Sequence, residues 1–392
     1  MIFIFYRDLR IEDNTSLLKL IEINNITNIK DIGFACIVDP IINTNKFVKQ
    51  TFYDIIKSLS TSLNIEIKLF TNPNTLLKHI LAQTKLKKDN EAFTVAFNKN
   101  LLIWEDFQKV IINELNNEKK CNIICEEDYT ILPSRLSTNK QGKPYKVYTP
   151  FYRHYIKTIR KTIYNLVQPK PTPGFLLQGK NTSSSKLREQ GLAILSRVIT
   201  GDFNDYKQTR NIPSNKDGTT KLGKYISFGV ISIREVFTAI PPKSSALISE
   251  VIWRDYFYFC NDHIKSKIKA NSMKKPKPHN RGSSWSWSDA HNFIKAGIKE
   301  LMETGWVNNR LRMIIVMFML KTKGLSQQYA TEWFSRYMVD YYESSNNGGI
   351  FWAMRQPAFR NFNYDIQYKK YDSSGRYTND ILSQKKLTID NK

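Results

Sequence analysis

An α/β domain built on a parallel, Rossmann-like sheet, followed by an all-α domain, is the architecture this 392-residue sequence predicts. Three observations predict it. Short β-type runs alternate with amphipathic stretches over residues 1–130, a Pro-, Gly-, Lys- and Ser-rich stretch follows over 131–190, and helical periodicity dominates 191–392. The expected strands are Ile2–Tyr6, Ile32–Val38, Ile65–Phe70, Phe93–Phe97 and Asn122–Cys125. Between them lie helical stretches such as Lys46–Leu63, where Phe52, Ile55, Ile56 and Leu59 recur at helical spacing. Strand–helix alternation of this kind calls for right-handed crossovers and parallel pairing. No GxGxxG follows the first strand, so no dinucleotide fingerprint is read there. In the connector, Phe151–Val167 forms a basic helix between the loop stretches Lys140–Tyr148 and Gln168–Ser185. The later helices are expected at Lys186–Ile199, Ser232–Ala239, Leu247–Ser266, Asp289–Thr304, Arg310–Thr322 and Gln327–Tyr342, with Lys265–Pro278 as a loop.

The charge is the second strong signal. Lys and Arg outnumber Asp and Glu 59 to 35, a net charge of +24. So large an excess favours a polyanionic partner, because each cation that replaces a counterion on a phosphate adds salt-sensitive affinity. A nucleotide-composition bias toward Lys, Asn and Ile codons is the plainer source of the same excess. The four cysteines, Cys36, Cys121, Cys125 and Cys260, form neither a CxxC pair nor a disulfide framework and read as reduced thiols. No metal site is expected. The longest apolar run, Met313–Leu320, is too short to cross a bilayer, and the N-terminus reads as a strand rather than a signal segment. A soluble, intracellular monomer, cytoplasmic or nuclear and away from membranes, is the expectation.

Four segments carry candidate chemistry: Thr219-Thr-Lys-Leu-Gly223, Glu250-Val-Ile-Trp-Arg254, Asn309-Arg-Leu-Arg-Met313 and Asn346-Asn-Gly-Gly349. Taken singly they read as a polar turn, a core-packing helix, charged helix surface and a helix C-terminal turn. In order and spacing together they resemble the flavin-binding half of the photolyase/cryptochrome family, in particular class I cyclobutane pyrimidine dimer photolyases. The N-terminal Arg7-Asp-Leu-Arg10…Asp13-Asn14, the linker Tyr145-Lys-Val-Tyr-Thr-Pro-Phe151 and the run Phe359-Arg-Asn-Phe-Asn363 resemble the same family, so the likeness spans the chain.

The resemblance implies an antenna-type α/β domain over 1–130, a connector over 131–190 and a helical FAD-binding domain over 191–392. It implies FAD as cofactor and DNA carrying pyrimidine dimers as partner, and identifies no antenna chromophore. Tyr206, Thr219, Thr220, Lys221, Leu222 and Gly223 match the segment that meets the FAD phosphates, with Gly223-Lys224 where the family has Ser-Pro. Arg254, Arg312, Asp340, Tyr342 and Asn346 match positions around the flavin, Asn346 facing N5 and Tyr342 replacing a second acidic residue. Gly348 and Gly349 let backbone approach the ring. Glu250, Trp253, Asn309, Met313 and Trp352 match the lesion pocket, and Arg210 and Arg310 match cations toward DNA. The family's (6-4) branch carries histidines where Asn309 and Met313 stand, which favours cyclobutane dimers.

The pattern breaks in places. Ile350 and Gln327 replace the first two tryptophans of the family's electron chain, so flavin photoreduction is expected to be slow or to run through Tyr329, Trp333 or Trp352. Trp285 or Trp287 stands at the third place, within a Ser283–His291 segment unlike the family's. The function implied is light-driven, FADH-dependent electron-transfer repair. A cryptochrome-like photosensor, or a DNA-binding protein without repair, is the alternative.

Overall fold

The computed structural model describes residues 1–85, 92–100, 105–117, 121–161, 168–174, 185–274, 287–355 and 363–384. Two compact units divide them. The first comprises residues 1–44, 49–199 and 222–241; the second comprises 45–48, 200–221 and 242–392.

In the first unit, strands β1 (Ile2–Phe5), β2 (Gly33–Ile37), β3 (Ile67–Phe70), β4 (Phe93–Lys99) and β5 (Cys121–Glu127) form one parallel sheet in the order β3-β2-β1-β4-β5. Each expected strand is present within two residues at either end. The crossovers run through α1 (Thr15–Ile23), α2 (Lys46–Leu63), α3 (Pro73–Lys85) and α4 (Glu105–Asn116). The β1 and β4 residues are apolar on successive positions because the sheet is covered on both faces, with Ile2, Ile4, Val95 and Phe97 packed among Leu76, Ile80, Ile111 and Leu115. Helices α5 (Tyr148–Lys161) and α6 (Lys186–Thr200) follow; residues 162–167 of the expected basic helix lie outside the described residues.

A later piece of chain completes this unit. Helices α8 (Gly223–Ser227) and α9 (Ile233–Ala239) belong to it, and α9 starts on a capping box in which Ser232 and Glu235 satisfy each other's backbone N–H groups. Arg234 then reaches into a buried charge cluster. Its Nε lies 2.9 Å from Asp13 Oδ2 and its Nη2 2.7 Å from Asp128 Oδ1, while Arg10 Nη2 lies 2.5 Å from Asp128 Oδ2. Burial alone would raise the Asp128 pKa, but Arg10 and Arg234 hold it well below the ordinary carboxylate value.

The second unit is helical. It contains α7 (Tyr206–Thr209), α10 (Ser245–Phe259), α11 (Asn261–Lys274), α12 (Asn292–Thr304), α13 (Asn309–Met317), α14 (Gln327–Tyr337), α15 (Glu343–Arg355), α16 (Tyr364–Tyr371) and α17 (Arg376–Ser383). Four expectations are corrected. The single helix over Leu247–Ser266 breaks at Cys260 into α10 and α11, and the Lys265–Pro278 loop is helical as far as Lys274, with 275–286 outside the described residues. The Arg310–Thr322 helix widens to π-type turns at Phe318–Thr322. The Gln327–Tyr342 helix stops at Tyr337, after which Val339 N–H donates to Gly305 O at 2.8 Å.

Candidate functional site

Of the candidate cofactor-, lesion- and DNA-contacting residues, all but two fall in the second unit. Leu222 and Gly223 lead into α8 of the first, Leu222 buried and Gly223 exposed.

Helix α10 carries Glu250 and Trp253 one turn apart, which puts them on one face. Trp253 meets Trp352 of α15 with ring centroids 4.6 Å apart and planes tilted by 60°. Phe257 adds a third ring 5.2 Å from Trp253. Both tryptophans are half-buried rather than core residues, so their remaining faces suit stacking by a planar ligand. The close approach of α10 and α15 depends on Gly348, where an added Cβ would overlap the Phe257 ring. Gly348 thus serves helix packing; beside Gly349 an added Cβ meets no atom within 4 Å.

Glu250 is ion-paired with Arg210, whose guanidinium also lies 5.8 Å from the Tyr206 ring. Burial, and then the Glu250 charge, push the Tyr206 hydroxyl above its ordinary pKa. Tyr206 therefore sits in the Arg210–Glu250 cluster. The α13 N-cap, Asn308, accepts Arg310 N–H at 2.8 Å through its oxygen and donates to Arg210 O at 3.0 Å through its amide nitrogen. This ties the start of α13 to Arg210 and Asn211. On α13, Asn309 is exposed and Met313 half-buried, with the Met313 sulfur 4.0 Å from Arg310 Nη1.

The residues expected around a flavin form a second cluster. Arg312 Nη2 donates to Asp340 Oδ2 at 2.9 Å and its Nε to Val307 O at 3.0 Å. The other Asp340 oxygen, Oδ1, is buried and has no hydrogen-bond partner among the described residues. A buried carboxylate oxygen without a donor calls for one, and the ring N–H of an isoalloxazine is a donor of that kind. An acceptor of this kind beside the Arg312 cation fits FAD. Asn346 Nδ2 donates to Thr331 O at 3.0 Å, which leaves the amide oxygen as the end able to accept. Arg254 pairs with Asp255 at 2.9 Å and lies 5.3 Å from the Tyr342 ring.

In the phosphate-type segment, Gly218 admits no side chain, since a Cβ would stand 2.8 Å from Thr209 O. Thr219 and Thr220 are half-buried, and Lys221 takes the left-handed backbone region at φ 52°. Its ammonium lies 4.7 Å from the Trp306 ring. The Lys224 ammonium, where the family has proline, lies over the Tyr225 ring at 4.8 Å, and burial lowers its pKa.

Ile350 is buried, 2 % exposed, at the place of the family's first electron-chain tryptophan. Trp333 meets Trp287 at 5.3 Å and Tyr337 at 5.0 Å, whereas Trp285 lies outside the described residues. Sequence reasoning missed Asn211, Trp306, Asn308 and Tyr371. Trp306 and Asn308 flank the Asn309–Met313 run and were within reach of it, but nothing local marks Asn211 or Tyr371. Among the described residues no group of three or more His, Cys, Asp or Glu could hold a metal ion, and no helix is long and apolar enough to cross a membrane.

Two family models match: one described as DNA photolyase over residues 1–174, the other as the FAD binding domain of DNA photolyase over 247–387. A deoxyribodipyrimidine photo-lyase of Alkalihalophilus pseudofirmus is 25% identical, the match covering 95% of this chain and 85% of that protein. The chloroplastic/mitochondrial cryptochrome DASH of Arabidopsis thaliana is 30% identical over 46% of this chain and 35% of its own length. Among solved structures, a class III photolyase from Agrobacterium tumefaciens superposes with a TM-score of 0.80 at 21% identity, covering 97% of this chain and 86% of that one.

Proposed function

Because the chain belongs to the DNA photolyase and cryptochrome family and carries its FAD-binding domain, we propose that it is a deoxyribodipyrimidine photo-lyase acting on cyclobutane pyrimidine dimers in DNA. Bound in reduced form, FAD would supply light-driven electron-transfer chemistry with no net redox change. The chain's own part is to bind, orient and exclude water.

The Trp253–Trp352 pair is the observation that carries this reading. A dimer turned out of the duplex costs only a few kcal/mol, since its bases already pair poorly, and stacking on aromatic walls recovers about 1–3 kcal/mol per base. Glu250, on the same helix face as Trp253, accepts hydrogen bonds from the base edges once Arg210 yields it. Asn309 and Met313 line the pocket from α13. Arg312, Asp340, Asn346 and Arg254 would hold the flavin, Arg312 and Arg254 as cations. Thr219, Thr220 and Lys221 serve the diphosphate through hydroxyls, backbone N–H groups and charge.

The test is repair of a single thymine dimer in an oligonucleotide by chemically reduced protein supplied with FAD, in blue light and in the dark. Restored thymines in the light alone are expected. No repair by protein that holds reduced FAD would overturn the reading in favour of a photosensor or a DNA-binding protein.

A further inference from the structure

Arg310 is a half-buried cation with no carboxylate within ion-pair distance among the described residues. Its guanidinium is nonetheless fixed. Nε and Nη2 both donate to Asn211 Oδ1, at 3.2 and 3.1 Å, and the Tyr371 ring lies 4.7 Å from its central carbon. Asn211 in turn is anchored through the Asn308–Arg210 hydrogen bond at the start of α13.

A guanidinium has five N–H donors in a planar fork. Asn211 occupies the side formed by Nε and Nη2. On the Nη1–Nη2 edge the one contact among the described residues is the Met313 sulfur at 4.0 Å, a weak acceptor. That edge matches two oxygens of a phosphate. Other cations crowd the seat: Arg210 is the next basic group, and the Lys370 ammonium lies 5.5 Å from the same Tyr371 ring. Burial lowers the Arg310 pKa; Tyr371 acts in the opposite sense, and Arg210 in the same one. Of these cations Arg210 has Glu250 as its counter-charge, so a further anion is called for.

We propose that Asn211 and Tyr371 are positioning residues that preset Arg310 as a seat for one backbone phosphate of the DNA strand entering the Trp253–Trp352 pocket. The proposal rests on the DNA-binding part of the reading above. Asn211 suits the task because it is a neutral acceptor: it orients the fork without cancelling its charge. Tyr371 supplies a ring face, so phenylalanine can replace it.

The experiment is fluorescence anisotropy of the full chain with a labelled, undamaged duplex, in the dark, over a KCl series. Arg310→Gln and Asn211→Asp each lower the slope of log K against log salt by about 0.9, the loss of one phosphate contact. Tyr371→Leu weakens binding roughly three- to thirtyfold at low salt, and Tyr371→Phe restores it. With reduced protein and a dimer-containing oligonucleotide, Asn211→Asp raises KM and leaves kcat within twofold. A wild-type salt slope in Asn211→Asp beside a reduced one in Arg310→Gln overturns the proposal, and so does failure of Tyr371→Phe to restore affinity. Loss of repair in the wild type with these slope changes intact would refute the repair reading and leave the seat standing.

Discussion

Replacing Asp340 by Asn tests the cofactor cluster at its most exact point. Asp340 Oδ2 receives Arg312 Nη2 at 2.9 Å, whereas Oδ1 is buried with no donor among the described residues. Asparagine keeps the shape and, through its single oxygen, the bond to Arg312. At the other position it puts an NH2 where an acceptor stood, so any donor of the cofactor then faces a donor. A hydrogen bond to a charged acceptor is worth about 1.5–3 kcal/mol, which predicts FAD binding weakened roughly ten- to 150-fold. Arg312→Met is the poorer probe, because it strands a carboxylate that is only 11% exposed and endangers the fold itself. The assay is titration of FAD into apoprotein, followed by flavin fluorescence, with the thermal midpoint of the apoprotein as control. An affinity within about threefold of wild type, in a protein that melts normally, would refute the reasoning: Oδ1 would not face the cofactor.

The other predictions concern the lesion pocket and the first unit. Trp253→Ala or Trp352→Ala is expected to lose about 1–3 kcal/mol of affinity for a dimer-containing oligonucleotide, with undamaged duplex bound within twofold of wild type in the same gel-shift series. Arg234→Met leaves Asp13 buried without its guanidinium and should destabilise the first unit by about 3–5 kcal/mol in urea unfolding; a loss below about 1 kcal/mol would contradict that role. Burial raises the Asp8 pKa to about 6 against the opposing backbone hydrogen bond from Tyr6. The folded state therefore binds this proton more tightly than the unfolded one. Its stabilisation is full below about pH 4 and lost as pH rises through about 6. Relative to Asp8→Ala, wild type should gain on the order of 3 kcal/mol between pH 7 and pH 4, and a flat difference across that range would refute the assignment.

The parallel sheet was legible because period and composition act locally. Buried strands such as Phe93–Lys99 announce themselves by apolar runs, and Lys46–Leu63 by helical spacing. The break at Cys260 was not legible, for no glycine or proline marks it; the chain turns there under tertiary packing. Lys265–Lys274 was read as loop because its lysines suggest solvent, yet a helix can carry a charged face. The Trp253–Glu250 face follows from spacing on one helix. The Arg210–Glu250 pair, Asn211 beneath Arg310 and Tyr371 beside it depend on separate segments meeting, which no local pattern encodes.

The Arg234–Asp13 contact joins residues 221 positions apart, and this orders events during synthesis. A ribosome adding about 5–20 residues per second makes Asp13 wait roughly 10–45 s for its guanidinium. All five strands have left the tunnel long before then, while Asp13 has the Lys170 backbone N–H as a partner but not yet the guanidinium. The buried Asp13–Asp128 charge cluster is thus completed only when α9 arrives, after every strand of the sheet has been made. A messenger cut short before codon 234 would yield every strand of the sheet without the guanidinium that completes this cluster.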